Sequence, residues 1–256
     1  MKCLIMSGGV KPKDEIIKQY ADFCDLIIGV DKGCNYLYDL DIKPNYIVGD
    51  FDSSNIEVIE ALEKRGSVKY KYKCEKDFTD SEEAFELAIS SEVTEIYFLG
   101  ATGQRFDHTL GNLGLLLKAL KYNVRAEIID DRNKILLVNS NTSIKNEKEY
   151  KYISFLAYNE TIREFSIKKA KYELNKYNLE VGDSRTVSNE FISDEIEIEL
   201  SNGNILRVAK DADALNSVFT SILPYMILIF IMLLIMSLAI GFFLTKKIIN
   251  PITKLS

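Results

Sequence analysis

From Ala214 to Thr245 no side chain carries a charge. Within that stretch Ile222–Leu244 is an unbroken run of Ile, Leu, Met, Phe and small residues. A helix rises 1.5 Å per residue and needs about 20 residues to cross the hydrocarbon of a bilayer. The run is long enough, and Pro224 stands at its start, where a proline is tolerated. A single membrane-spanning helix is the expectation, because core helices of soluble domains rarely stay uncharged for so long. Only Lys246, Lys247 and Lys254 follow as charged residues. The chain thus divides into a mixed polar and apolar part, 1–211, and an apolar tail, 212–256.

The 256 residues hold 32 Lys+Arg against 38 Asp+Glu, a formal net charge of −6. The tail adds three lysines and Asp213, a net positive charge, so the acidic surplus belongs to the first part. That excludes a generally basic nucleic-acid binder. An apolar share of 47% and a charged share of 27% exclude a disordered chain. Cys3, Cys24, Cys34 and Cys74 form no C-x-x-C pair, and His108 is the one histidine. A Cys/His zinc site is not expected, and the thiols fit a reducing compartment. Met1–Gly9 is too short an apolar run for a secretory signal, which points to cytoplasmic catalytic domains.

Short apolar runs at Cys3–Met6, Leu26–Val30, Tyr46–Val48 and Ile96–Leu99 read as strands buried on both faces. Val68–Tyr72 alternates with lysine and reads as a strand nearer an edge. Helices are expected after the capping-box spacings Ser54–Glu57 and Thr79–Glu82, and through Leu110, Leu113, Leu117 and Leu120. This alternation predicts an α/β domain with a parallel sheet over 1–132. Beyond it, Ile135–Val138, Tyr152–Ala157, Ile162–Ile167, Ile196–Leu200 and Ile205–Val208 predict a small antiparallel, sandwich-like β domain over 133–211. Ser201-Asn202-Gly203-Asn204 reads as a hairpin turn.

Three polar clusters follow expected strands. Gly49-Asp50-Phe51-Asp52-Ser53 sets two carboxylates on a turn, a pattern that can bind Mg²⁺ or simply cap the next helix. In Lys76-Asp77-Phe78-Thr79-Asp80, Asp80 falls in a first helical turn and Lys76 can meet a phosphate as a point charge. Gly100-Ala101-Thr102-Gly103-Gln104-Arg105-Phe106-Asp107-His108 lets the backbone close around an anion at a helix start, with Arg105 as a forked donor. It is neither a Walker A loop nor a G-x-G-x-x-G turn. Ligands of open α/β sheets bind beyond the carboxyl ends of the strands, where all three clusters lie. Together they suit metal-dependent phosphoryl or pyrophosphoryl transfer.

With Ser7-Gly8-Gly9, Asp31-Lys32-Gly33, Asn112 and Ser188-Asn189-Glu190 in the same order, these clusters resemble the thiamine pyrophosphokinase (thiamine diphosphokinase) family over residues 1–211. The resemblance implies a nucleotide-binding α/β domain, a β domain, and a homodimer with thiamine at its interface. It implies transfer of pyrophosphate from Mg-ATP to the thiamine hydroxyl, giving thiamine diphosphate and AMP. By the same likeness Asp50, Asp52 and Asp80 would hold Mg²⁺ and the triphosphate, with Asp107 a lesser metal candidate. Asp31, Lys76, Asp77, Thr102, Arg105, Asp107, His108 and Asn112 would line the ATP site. Ser188 and Asn189 would meet thiamine, and Asp50, Asp52, Asp80 and Arg105 would carry catalysis. The competing reading is a membrane-tethered module that senses thiamine or nucleotide without turnover.

The tail departs from that pattern. Its apolar run followed by Lys246-Lys247-Ile248-Ile249-Asn250-Pro251-Ile252 resembles the last membrane helix and HAMP start of a bacterial sensor kinase. Three readings stay open: a genuine anchor through 222–244, a fragment joined to the enzyme by fusion or sequence error, or a helix in a hairpin or dimer contact. The joined fragment is favoured, because the chain stops where a sensor kinase would continue.

Overall fold

The computed structural model describes residues 1–52, 54–70, 78–103, 105–211 and 214–244. The chain divides into two compact units, Met1–Asp211 and Ala212–Ser256. The first begins β1 (Lys2–Met6), α1 (Asp14–Phe23), β2 (Leu26–Val30), α2 (Gly33–Asp39), β3 (Tyr46–Val48), α3 (Ile56–Lys64) and β4 (Val68–Tyr70). It continues with α4 (Asp80–Ser90), β5 (Glu95–Leu99), α5 (Phe106–Lys121) and β6 (Arg125–Ile129). Then come β7 (Asn133–Val138), β8 (Thr142–Lys145), β9 (Tyr150–Tyr158), β10 (Ile162–Lys168), β11 (Leu174–Leu179), β12 (Asn189–Glu190), β13 (Glu195–Glu199) and β14 (Asn204–Asp211).

Among the described residues these strands make two sheets, ordered β12-β9-β14-β7-β6-β5-β1-β2-β3-β4 and β11-β10-β13-β8. From β4 to β6 the large sheet is parallel; from β6 to β12 it is antiparallel. Period-two alternation serves both faces. Cys3 and Ile5 of β1 pack with Phe85 of α4 and Leu116 of α5. Leu4 and Met6 pack with Ile17 of α1 and Leu37 of α2. The chain runs outward from β1 to β4, then returns to β5 on the other side of β1. The strand order therefore reverses between β1 and β5, the position at which such sheets bind ligands.

The sheet does not stop at the expected boundary near residue 133. Ile128 of β6 pairs with Ile135 of β7, so the antiparallel strands extend the parallel sheet. Their far face, with Leu136, Phe155 and Ile205, packs on Phe165, Ile167, Ile196 and Ile198 of the smaller sheet.

Several local expectations are corrected. Asn55, not Ser54, caps α3: its Oδ1 accepts the Glu57 N–H at 3.0 Å. Thr79 caps α4 through Glu82 N–H as its spacing implies. Helix α5 buries Asn112, Leu115, Leu116 and Ala119 most deeply, and Leu110 is exposed. The turn at 201–204 is no hairpin: β13 pairs with β8 and β10, whereas β14 pairs with β7 and β9. It carries the chain from one sheet to the other, because β13 has one apolar face and β14 has two. Helices α1 and α2 and strands β6, β8, β11 and β12 lie where the sequence pattern predicts no element. Lys71 and Tyr72, expected to continue β4, fall outside the described residues.

In the second unit α6 (Ala214–Leu244) is a single helix of 31 residues. It starts upstream of the apolar run, so Pro224 lies inside it rather than at its start. The window Leu223–Ile240 has a mean hydropathy of 2.7, and none of it is buried.

Candidate active site

The loops after β1, β2 and β5 close on one another at the reversal point. Ser7 N–H donates to Leu99 O, Gly9 N–H to Gly100 O and Val10 N–H to Thr102 O, each at 2.8 Å. The ladder between β1 and β5 thus runs on past the strand ends. Gly9 must lack a side chain, since a Cβ would overlap the carbonyl oxygens of Gly100 and Thr102. Gly100 takes φ +63, open to glycine at little cost. Tyr36 of α2 donates its hydroxyl to Gly9 O at 3.0 Å, and the hydroxyls of Ser7 and Ser81 lie 3.1 Å apart, which ties these loops to α2 and α4.

Between them lies a cavity of about 600 Å³, a size usual for small-molecule and cofactor sites. Lys11, Lys32 and Arg105 line it, together with Thr102, His108 and Asn112. Helix α5 opens onto it without a side-chain cap, so its first amide N–H groups and its dipole favour an anion. Asn112 is buried and donates Nδ2–H to Ala101 O at 2.7 Å, locking α5 to the glycine loop. A basic, amide-lined cavity with this shape suits a polyphosphate.

Asp31 and Asp80 stand on its wall. Burial, then the charge and hydrogen bond of the Asp80 carboxyl, push Asp31 up to about 7; Asp50 adds to this, and the Phe51 N–H at 3.4 Å opposes it. Asp31 holds φ 45 and Phe51 φ 64, left-handed conformations that bring the two turns together. Crowded carboxylates are the donors that a hard divalent cation relieves, and Mg²⁺ commonly takes one or two of them plus water and phosphate. Among the described residues no group of three or more His, Cys, Asp or Glu side chains could cage a metal alone. Asp31 and Asp80, side by side on the wall, are the one or two carboxylates that such a cation takes beside water and phosphate.

Of the residues singled out from sequence, the cavity gathers Asp31, Asp80, Thr102, Arg105, His108 and Asn112. Asp50 and Asp52 lie outside its lining, on the turn behind Asp31, where Asp50 Oδ1 accepts the Asp52 N–H at 3.1 Å. Asp107 is also off the wall. It receives Arg105 Nε–H at 3.3 Å and an Arg105 terminal N–H at 2.7 Å, a fork that holds its carboxyl below the usual range. Ser188 and Asn189 are not at the cavity. Asn189 is buried, exchanging hydrogen bonds with the Tyr172 backbone at 3.0 and 2.8 Å. Lys76 and Asp77, like Ser53, Gln104, Lys246 and Lys247, lie outside the described residues. Sequence reasoning missed Lys11, Lys32, Tyr36 and Ser81 as cavity residues. Their shared signal is position: each sits within a few residues of a strand's carboxyl end or in a first helical turn or two.

Two family models match the chain. Residues 17–128 match the thiamin pyrophosphokinase catalytic domain, and residues 141–205 match the thiamin pyrophosphokinase vitamin B1 binding domain. The chain is 34% identical over 205 residues to a thiamine pyrophosphokinase of Bacillus subtilis, covering 80% of this chain and 96% of that protein. It is similar to the crystal structure of thiamine pyrophosphokinase from Bacillus subtilis, with TM-score 0.75, 31% identity and coverage of 83% of this chain and 100% of that one. A thiamin pyrophosphokinase structure from Geobacillus thermodenitrificans gives TM-score 0.73, 29% identity and coverage of 84% and 99%. Neither family model reaches the apolar tail, whose likeness to a sensor kinase finds no support in these matches.

Proposed function

The chain belongs to the thiamin pyrophosphokinase family, enzymes that transfer pyrophosphate from ATP to thiamine, and we propose that the cavity at the β1/β5 reversal is its ATP site. The observation that carries this assignment is the convergence of three cationic side chains, an uncapped helix N-terminus and the Asp31–Asp80 pair on one cavity wall. Mg²⁺ would be held by Asp80 and Asp31, with Asp50 behind them and Asp52 on the same turn, and would neutralise charge on the triphosphate. Lys11, Lys32 and Arg105 bind phosphate oxygens, with Arg105 held in a fork by Asp107. Thr102, His108 and Asn112 shape the nucleotide pocket; Lys76 and Asp77, outside the described residues, stay ATP-site candidates on the family resemblance alone.

In the reaction the thiamine hydroxyl oxygen forms a bond to the β-phosphorus. The bond from that phosphorus to the α,β-bridging oxygen breaks, and AMP leaves with the oxygen. The hydroxyl proton passes to a carboxylate of the acidic set late in the transition state. Most of the acceleration comes from positioning and charge neutralisation. Ser188 and Asn189 lie away from the cavity of their own protomer, which favours a homodimer whose second copy brings its β domain to thiamine. ATP as donor implies a cytoplasmic catalytic unit, and α6, apolar and unburied over Leu223–Ile240, would be the membrane contact through 222–244.

The test is to incubate the protein with ATP, Mg²⁺ and thiamine and to quantify AMP and thiamine diphosphate. Equal formation of both supports the assignment. ATP or thiamine binding with no AMP released replaces it with a sensing module.

A further inference from the structure

Two of the loops that form the cavity, those after β1 and β5, are held from outside it by one short turn. Between β6 and β7, Asp130 Oδ2 accepts the Thr102 hydroxyl at 3.1 Å, while its Oδ1 accepts the N–H groups of Arg132 at 2.9 Å and Asn133 at 2.8 Å. The Asn133 amide closes on the same carboxylate at 3.0 and 3.2 Å. The neighbouring Asp131 Oδ1 accepts Lys13 N–H at 2.7 Å, at the entry to α1, where the loop after β1 ends. Arg132 O in turn accepts Asp211 N–H at 2.8 Å, at the end of β14. Neither aspartate lines the cavity. The loop after β5 is thus anchored through Thr102, and the loop after β1 through Lys13.

We propose that Asp130 and Asp131 are positioning residues for the nucleotide-binding loops, fixing the hydrogen-bonded β1 and β5 loops that receive the phosphates against the β6–β7 turn. The proposal rests on the reading of this cavity as the ATP site. The backbone bonds between the two loops tie them to each other; the carboxylate bonds tie the pair to the β6–β7 turn, and when one is lost the ligand must supply that part of the ordering. The Asp130 carboxylate is oriented by the Arg132 and Asn133 donors of its own turn, so Thr102 gains a fixed partner rather than a mobile one.

The experiment measures binding of α,β-methylene-ATP with Mg²⁺ by calorimetry, alongside the KM for thiamine, in the wild type and in Thr102→Val, Thr102→Ser, Asp130→Ala, Asp131→Ala and the Thr102→Val/Asp130→Ala double variant. Each loss of an anchor should weaken binding about fivefold. The double variant should be no weaker than the weaker single one, Thr102→Ser should recover most of the binding that Thr102→Val loses, and the thiamine KM should not move. Additive losses in the double variant would show Thr102 touching the nucleotide independently of Asp130 and would overturn the proposal. If Asp130→Ala does not fold, wild-type binding in both Thr102→Val and Asp131→Ala overturns it. A wild-type protein that fails to bind the analogue refutes the ATP-site reading instead.

Discussion

Gly49 and Asp31 are pressed together so closely that a Cβ at Gly49 would overlap Asp31 Oδ1. Gly49 also holds φ +135, a conformation that costs other residues strain. The glycine before the Asp50–Asp52 turn is therefore what lets the β3 turn support Asp31. Gly49→Ala should lower Tm by several degrees, since a backbone penalty of about 1–3 kcal/mol applies. It should cut turnover more than tenfold by displacing Asp31. A variant with wild-type Tm and rate would show that the two turns move independently.

Asp80→Asn should slow AMP release by about 10²-fold while circular dichroism stays unchanged. EDTA should stop the wild-type reaction and excess Mg²⁺ should restore it. Steady turnover in EDTA would remove the divalent cation from the scheme.

Arg105→Lys keeps the charge and loses the fork. The prediction is a fall in kcat of about tenfold with the fold intact, measured by steady-state assay. Equal kinetics would mean that the Arg105–Asp107 pair serves only the surface.

Glu147 offers a pH test of stability. Burial pushes its carboxyl up, but the Lys134 ammonium at 2.6 Å and the Arg207 guanidinium at 3.4 Å outweigh this and hold it below its ordinary 4.5. Glu127 of β6, Tyr20 of α1 and Tyr150 of β9 face the same cluster. A depressed folded pKa contributes stability above about pH 4.5, and that stability is lost as pH falls through the folded value. The Tm gap between wild type and Glu147→Gln should be widest near neutrality and should close below pH 4.5. A gap that does not change with pH would assign the effect to packing.

A chain ended after Asp211 should fold and turn over, because Met1–Asp211 is a compact unit with its own cores. The full chain should partition with lipid vesicles, and the shortened one should not. Loss of activity in a folded, shortened protein would give α6 a catalytic role.

Where the physics is local, the residues alone reveal it. Thr79 caps α4 because its hydroxyl and Glu82 N–H are three residues apart, and Glu195–Glu199 alternates because Ile196 and Ile198 face a core. Helices α1 and α2 are short and have no side-chain cap to announce them, although Ile16, Ile17, Tyr20 and Ala21 of α1 recur at helical spacing and pack in the core of Leu4 and Met6. The hairpin-like Ser201–Asn204 misleads, since partner choice depends on which core each strand can fill. Asn189, which the family resemblance would bring to thiamine, also exchanges hydrogen bonds with the Tyr172 backbone, a long-range contact that no local pattern reveals.

By itself the sequence determined the strand–helix alternation, the glycine and aspartate turns that end the strands, and the separate apolar helix. Each follows from spacing, side-chain volume or lack of charge within a short window. Tertiary structure alone decided that the two halves share one sheet, that Asp31 rather than Asp52 stands beside Asp80, and that Lys11, Lys32 and Arg105 meet across one cavity. Those outcomes depend on strand order. Strand order is set by which long-range faces can be buried together, a property that no single segment of the chain contains.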